Sequence, residues 1–125
     1  MDRVVDLDEV AAEVAGRVAG WRAAGLTVGP LTWRDHVLRW PQVLETDRAR
    51  VDDPDAAGVV LRAGTEAELS VVMFRGGWAD VDHFDGLDAC RALPASGIAS
   101  AADFGSRLDG WVSLLLGGPA VRPEA

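Results

Sequence analysis

A chain of 125 residues and 13.2 kDa has room for one hydrophobic core, burying roughly two-thirds of the surface its unfolded form exposes, and is read as a single domain over 1–125. With 12 basic against 20 acidic residues the formal net charge is −8, a field that repels nucleic-acid phosphate and suits a basic partner. The lone Cys90 excludes an internal disulfide, and no apolar run approaches the ~20 residues needed to span a bilayer.

The first residues, MDRVVDLDEV, carry acids where a secretory signal would carry a basic segment and then an apolar run, which predicts a cytoplasmic protein. From Asp6 to Ala24, Leu7, Val10, Ala11, Val14, Val18 and Trp21 recur at steps of three and four, the period of one helix face. Asp8, Glu9 and Glu13 precede Arg17 and Arg22 on the other face, the order that the helix dipole favours, and Gly25 is the expected stop. A polar face so poor in cations does not suit a membrane surface.

The segment 26–50 has no sustained period. Gly29-Pro30 marks a turn, and the short apolar groups around Trp33, Trp40 and Leu44 read as two short strands, or a strand and a helical turn, with Pro41 at an edge. Trp33 and Trp40 are expected in the core or packed at an edge. Asp52-Asp53-Pro54-Asp55 reads as a polar turn, after which Gly58 leads into a strand at Val59–Arg62.

Residues 66–86, EAELSVVMFRGGWADVDHFDG, alternate in character along two runs joined at Gly76-Gly77, the signature of a β-hairpin. Ala67, Leu69, Val71 and Met73 share one face. A two-residue turn would set Asp80 and Asp82 beside them, at several kcal/mol for each unpaired buried ion. A three-residue turn with one left-handed glycine instead brings Ala79, Val81 and His83 to the apolar side. The opposite face then mixes Val72, Phe74, Trp78 and Phe84 with Glu66, Glu68, Asp80 and Asp82, a composition suited to binding a basic protein.

Leu87 to Ala99 reads as loop with a helical turn near Leu87 to Leu93. Ser100 is the expected N-cap of a last helix, with Asp103 as its capping partner and Phe104, Leu108, Trp111, Val112 and Leu115 on the buried face. Gly117-Gly118-Pro119 ends it, and 118–125 is expected to fray. The predicted fold is thus α+β: an N-terminal helix, an antiparallel meander of about four strands, and a C-terminal helix packed on one face.

Catalytic and metal chemistry find little support in the residues. Asp80, Asp82, Asp85 and Asp88 approach a calcium-loop pattern, but counting from Asp80 places Phe84 at position five, Asp85 at six and Arg91 at twelve, where the loop needs an acid or amide, a glycine and a glutamate. His36, His83 and Cys90 are too scattered for zinc. Asp82 and His83 are neighbours on a strand and point to opposite faces. Nothing local activates Cys90 beyond Arg91, and the paired glycines are a turn and a helix stop rather than a phosphate loop. No cofactor and no catalysis are expected.

The strand ELSVVMF, the glycine turn, the run GWADVDHF and the helix SAADFGSRLDGWVSLL together resemble bacterial immunity proteins of polymorphic-toxin systems, in particular the TriTu family, with Trp21, Trp78 and Trp111 echoing its tryptophans and Phe74 standing before the turn where a tryptophan is expected. The resemblance covers about half of the chain. It implies a cytoplasmic antidote that occludes a cognate toxin without catalysis of its own. The acidic charge and the aromatic-acidic face suit a basic, nuclease-type toxin rather than nucleic acid or membrane, and a monomer or weak homodimer is expected. Trp78 would then be the anchor, Glu66, Glu68, Asp80 and Asp82 its charged ring, and Phe74 and Phe84 further contacts. The competing expectations are a small-molecule-binding or enzymatic domain with a pocket between sheet and helices, using Trp33, Trp40 or His36, and a homo-oligomer with a self-complementary hairpin.

Overall fold

A computed structural model describes residues 3–64, 66–87 and 89–117. The frayed tail expected at 118–125, and Asp88 of the acidic cluster, lie outside the described residues. The N-terminal helical segment is bent into α1 (Leu7–Ala15) and α2 (Val18–Ala23). Asp6 caps α1 by accepting from the Asp8 and Glu9 amides, and the chain bends at Gly16 and Arg17, where the periodic pattern alone gave no sign of a break.

The sheet is antiparallel and among the described residues has six strands rather than about four: β1 (Thr27–Val28), β2 (Thr32–Asp35), β3 (Pro54–Arg62), β4 (Glu68–Phe74), β5 (Trp78–Phe84) and β6 (Cys90–Ala92). Its order is β1-β3-β4-β5-β6, with β2 sharing the same edge of β3 as β1. Two expectations are corrected. The polar turn at 52–55 is half strand, because β3 already starts at Pro54, and the helical turn near Leu87 to Leu93 is replaced by β6 pairing with β5.

Helices α1 and α3 (Ala101–Leu115) pack together and cover one face of the sheet. Ser100 caps α3 as expected, its Oγ accepting from the Asp103 amide, while Asp103 accepts from the Ala99 amide. Phe104, Leu108, Trp111, Val112 and Leu115 are all buried against the inward residues of β3, β4 and β5, among them Leu61, Leu69, Val71, Met73, Ala79 and Val81. Arg17 ties the two helices at the surface through Asp109, with Nε–Oδ1 at 2.7 Å.

The hairpin takes the three-residue turn. Phe74 pairs with Trp78, Met73 with Ala79, Val71 with Val81 and Leu69 with His83, so Asp80 and Asp82 are exposed. The turn requires Gly77, which has φ of 98°; an added Cβ would meet the Ile98 carbonyl oxygen at 2.9 Å and Val4 Cγ1 at 3.3 Å. A left-handed conformation costs a non-glycine residue roughly 1–2 kcal/mol before any clash. Gly77→Ala is therefore expected to lower the unfolding free energy by about 2 kcal/mol or more, measured by urea denaturation; an unchanged midpoint would show that the turn tolerates another register.

Candidate protein-binding face

The sheet face turned away from the helices carries four cross-strand rows, fixed by pairing register. Arg34, Ala56, Phe74 and Trp78 form the first, Thr32, Gly58, Val72 and Asp80 the second, Val60, Ser70, Asp82 and Ala92 the third, and Arg62, Glu68, Phe84 and Cys90 the fourth. Among the described residues no helix covers them.

In the first row the rings of Phe74 and Trp78 stack with centroids 5.1 Å apart and an interplanar angle of 11°. The small Ala56 lets the Arg34 guanidinium reach the other side of Phe74, 5.6 Å from its centroid, while Trp40 lies 5.8 Å from the same guanidinium. Trp40, Arg34, Phe74 and Trp78 thus form one continuous stack, stabilised by ring contacts and by the attraction of a cation to ring faces.

Trp40 arrives from the segment 36–47, which folds over the end of the first row. Val37, Leu38, Trp40, Val43 and Leu44 there are all exposed, Val43 at 92% and Trp40 at 67%. A cis peptide bond joins Trp40 to Pro41. The expectation that both Trp33 and Trp40 pack into the core or an edge holds for Trp33, which is buried and has Arg48 over its ring at 5.2 Å, and fails for Trp40. Position in the fold separates them: Trp33 lies on the inward side of β2, whereas Trp40 lies beyond its end.

Two buried carboxylates position this segment. Asp55, 1% exposed, receives Arg34 in a bidentate pair, with Nε–Oδ1 at 2.9 Å and Nη2–Oδ2 at 2.8 Å, and His36 Nδ1 lies 3.2 Å from Oδ2. A register shift between β2 and β3 at Arg34 and Asp35 leaves Asp55 as the extra residue that makes this pairing possible. Asp35, also buried, accepts from the amides of Asp52 at 2.9 Å, Val37 at 3.1 Å and Asp53 at 3.2 Å. Gln42 bonds the amide and the carbonyl of Asp35, closing the loop on its base. Nothing in the local pattern marks Asp35 or Asp55: Asp55 reads as part of a polar turn, and its burial follows only from pairing with Arg34.

The expected partner-binding residues divide into two groups. Phe74, Trp78 and Asp80 stand together at the turn, with Asp82 one row further on. Glu68 and Phe84 sit at the far end, six residues or about 20 Å along the strands, and Glu66 precedes β4. The charged ring around Trp78 is therefore corrected: Asp80 lies in the adjacent row and Asp82 one row beyond it, about 13 Å along the strand, whereas Glu66 and Glu68 are farther still. Glu68 is also paired, with Arg62 Nε at 3.0 Å, while Asp80 and Asp82 have no ion pair among the described residues.

The space between sheet and helices is filled: Leu61, Leu69, Met73 and Leu108 are each 0% exposed. Clefts occur instead on the outer face and at the margin of the layers, the latter a charged hollow of about 450 Å³ in which Arg3 and Arg75 pair with Asp53 and Arg48 with Asp8. Among the described residues no group of three or more His, Cys, Asp and Glu side chains could hold a metal ion, and no helix is long and apolar enough to cross a membrane.

Burial pushes the Asp35 carboxyl up, but the three backbone amides outweigh it and hold the group below its ordinary value. A depressed folded value means that its contribution is present above the unfolded pKa of about 4 and is lost as pH falls through the folded one. Asp35→Asn is expected to cost roughly 1–3 kcal/mol at pH 7 in denaturant unfolding, with the gap to wild type closing below about pH 4. A gap that stays constant across that range would remove the charge of Asp35 from the account.

Compared with known protein families, with curated proteins and with solved structures, the chain has no significant match.

Proposed function

We propose that this chain is a cytoplasmic immunity protein that neutralises a cognate, basic, nuclease-type toxin by binding it with the outer sheet face, without catalysis of its own. The observation that supports this reading best is the stack of Trp40, Arg34, Phe74 and Trp78, open to solvent, with Asp80 in the next row and Asp82 in the one after, neither in an ion pair among the described residues. Aromatic anchors in the centre with charges beside them are the usual anatomy of a binding hot spot. The apolar side chains of 37–44 extend the surface towards the roughly 800 Å² per partner that a stable complex buries.

Charge argues for the class of partner. A net charge of −8 speeds encounter with a basic surface and opposes both nucleic acid and a second copy of the same chain. A toxin whose own substrate is a polyanion presents such a surface at its cleft, and covering that cleft blocks it.

The enzymatic or small-molecule alternative has one observation in its favour, a hollow of about 110 Å³ lined by Arg34, Asp35, His36, Gln42 and Asp55. Those groups are engaged with one another and with backbone, as a clamp would be, so the protein-binding reading is preferred.

Co-expression with a cognate toxin should protect cells. Trp78→Ala combined with Asp80→Ala is expected to weaken the complex roughly thirtyfold or more by calorimetry, with thermal unfolding near that of wild type. Equal binding by the double variant would move the interface off this face.

A further inference from the structure

A cleft of about 190 Å³ opens on the outer face beside the stack. Its floor is Ala56 and Gly58, its walls are Trp40 and Leu44 on one side and Val72 and Phe74 on the other, and Asp80 stands at its rim. The floor depends on the absence of a side chain at Gly58: a Cβ there would lie 3.2 Å from Thr32 Oγ1 and 3.3 Å from Val72 Cγ2. Arg34 also lines the cleft, but its charge is matched by Asp55 in the bidentate pair, so that the pair is neutral and Asp80 leaves the cleft with a net negative charge.

We propose that this cleft receives one long-stemmed basic side chain, arginine or lysine, of a protein partner, the stem lying over Gly58 and Val72 and the charged head meeting Asp80. This rests on the reading that the outer face meets a basic protein, and it names the feature of that protein which is recognised. Methylene stems cover apolar surface while the head stays polar, which matches apolar walls that end in a carboxylate. A neutral aromatic would desolvate Asp80 without pairing it, and an acidic side chain would meet it with like charge. A second copy of the chain would have to bring its own net charge of −8 against the same field.

The test uses the full chain and two blocked pentapeptides, Gly-Gly-Arg-Gly-Gly and its glutamate counterpart, followed by NMR at the indole N–H signals of Trp40 and Trp78 and the Gly58 amide. The arginine peptide is expected to shift these signals saturably and the glutamate peptide to leave them unmoved. Asp80→Asn should weaken the arginine peptide about fivefold, as should Trp40→Ala, whose exposed position leaves folding intact, whereas Glu9→Gln on α1 should have no effect. Absence of saturable shifts, equal binding of both peptides, or shifts that instead follow the protein's own concentration would overturn the assignment. Protection against the toxin that survives Asp80→Asn while the peptide fails to bind would refute the cleft and leave the immunity reading standing; peptide binding without protection would do the reverse.

Discussion

The pairing of Phe74 with Trp78 across a three-residue turn is the constraint on which both faces of the sheet depend. Side chains alternate along a strand, so a shift of one residue on β5 would exchange Ala79 and Val81 for Asp80 and Asp82 beneath the helices. The cost of burying two unpaired carboxylates, several kcal/mol each, far exceeds what the turn itself contributes. Gly77 can adopt the left-handed geometry that the longer turn needs, and local geometry and burial therefore favour the same register.

One consequence of that register is a sheet with a dry side and a wet side that is not simply polar. The inner side is closed by α1 and α3 through aliphatic and aromatic packing. On the outer side the first row places Phe74 and Trp78 in line with Arg34, whose guanidinium is held by a buried carboxylate. The ion pair keeps Arg34 from straying into solvent, and the small Ala56 clears its path to Phe74. Phe74 and Trp78, stacked on each other, are continued through Arg34 to Trp40 as an ordered, half-exposed stack, which reduces the side-chain entropy lost when a partner docks.

The loop 36–47 shows how polar burial can serve an apolar surface. Asp35 collects three backbone amides and Gln42 bridges the loop to its base, so the exposed Val37, Leu38, Trp40 and Val43 are carried by a segment that is anchored rather than free. Unanchored, those side chains would gain by collapsing against the sheet. The buried Asp35 carboxylate, with both oxygens engaged, thus holds apolar groups in water, and acid that protonates it loosens the presentation.

The fold class, the hairpin with its register and the capped C-terminal helix were legible in the amino-acid sequence, because each is set by local features: a period of two or of 3.6, a glycine turn, a serine cap. Phe74, Trp78, Asp80 and Asp82 could be assigned to one face on the same ground. Strand β6 could not be read, since three residues carry no period and form a strand only because the edge of β5 offers them hydrogen bonds. Nor could the bend at Gly16, the burial of Asp35 and Asp55 or the exposure of Trp40. Asp55 is held by Arg34 across 21 positions and Trp40 is displayed by a loop clamped through Asp35. Local sequence determined which side chains share a face; only tertiary pairing, which makes a buried charge tolerable by supplying its partner from elsewhere in the chain, decided how that face becomes a site.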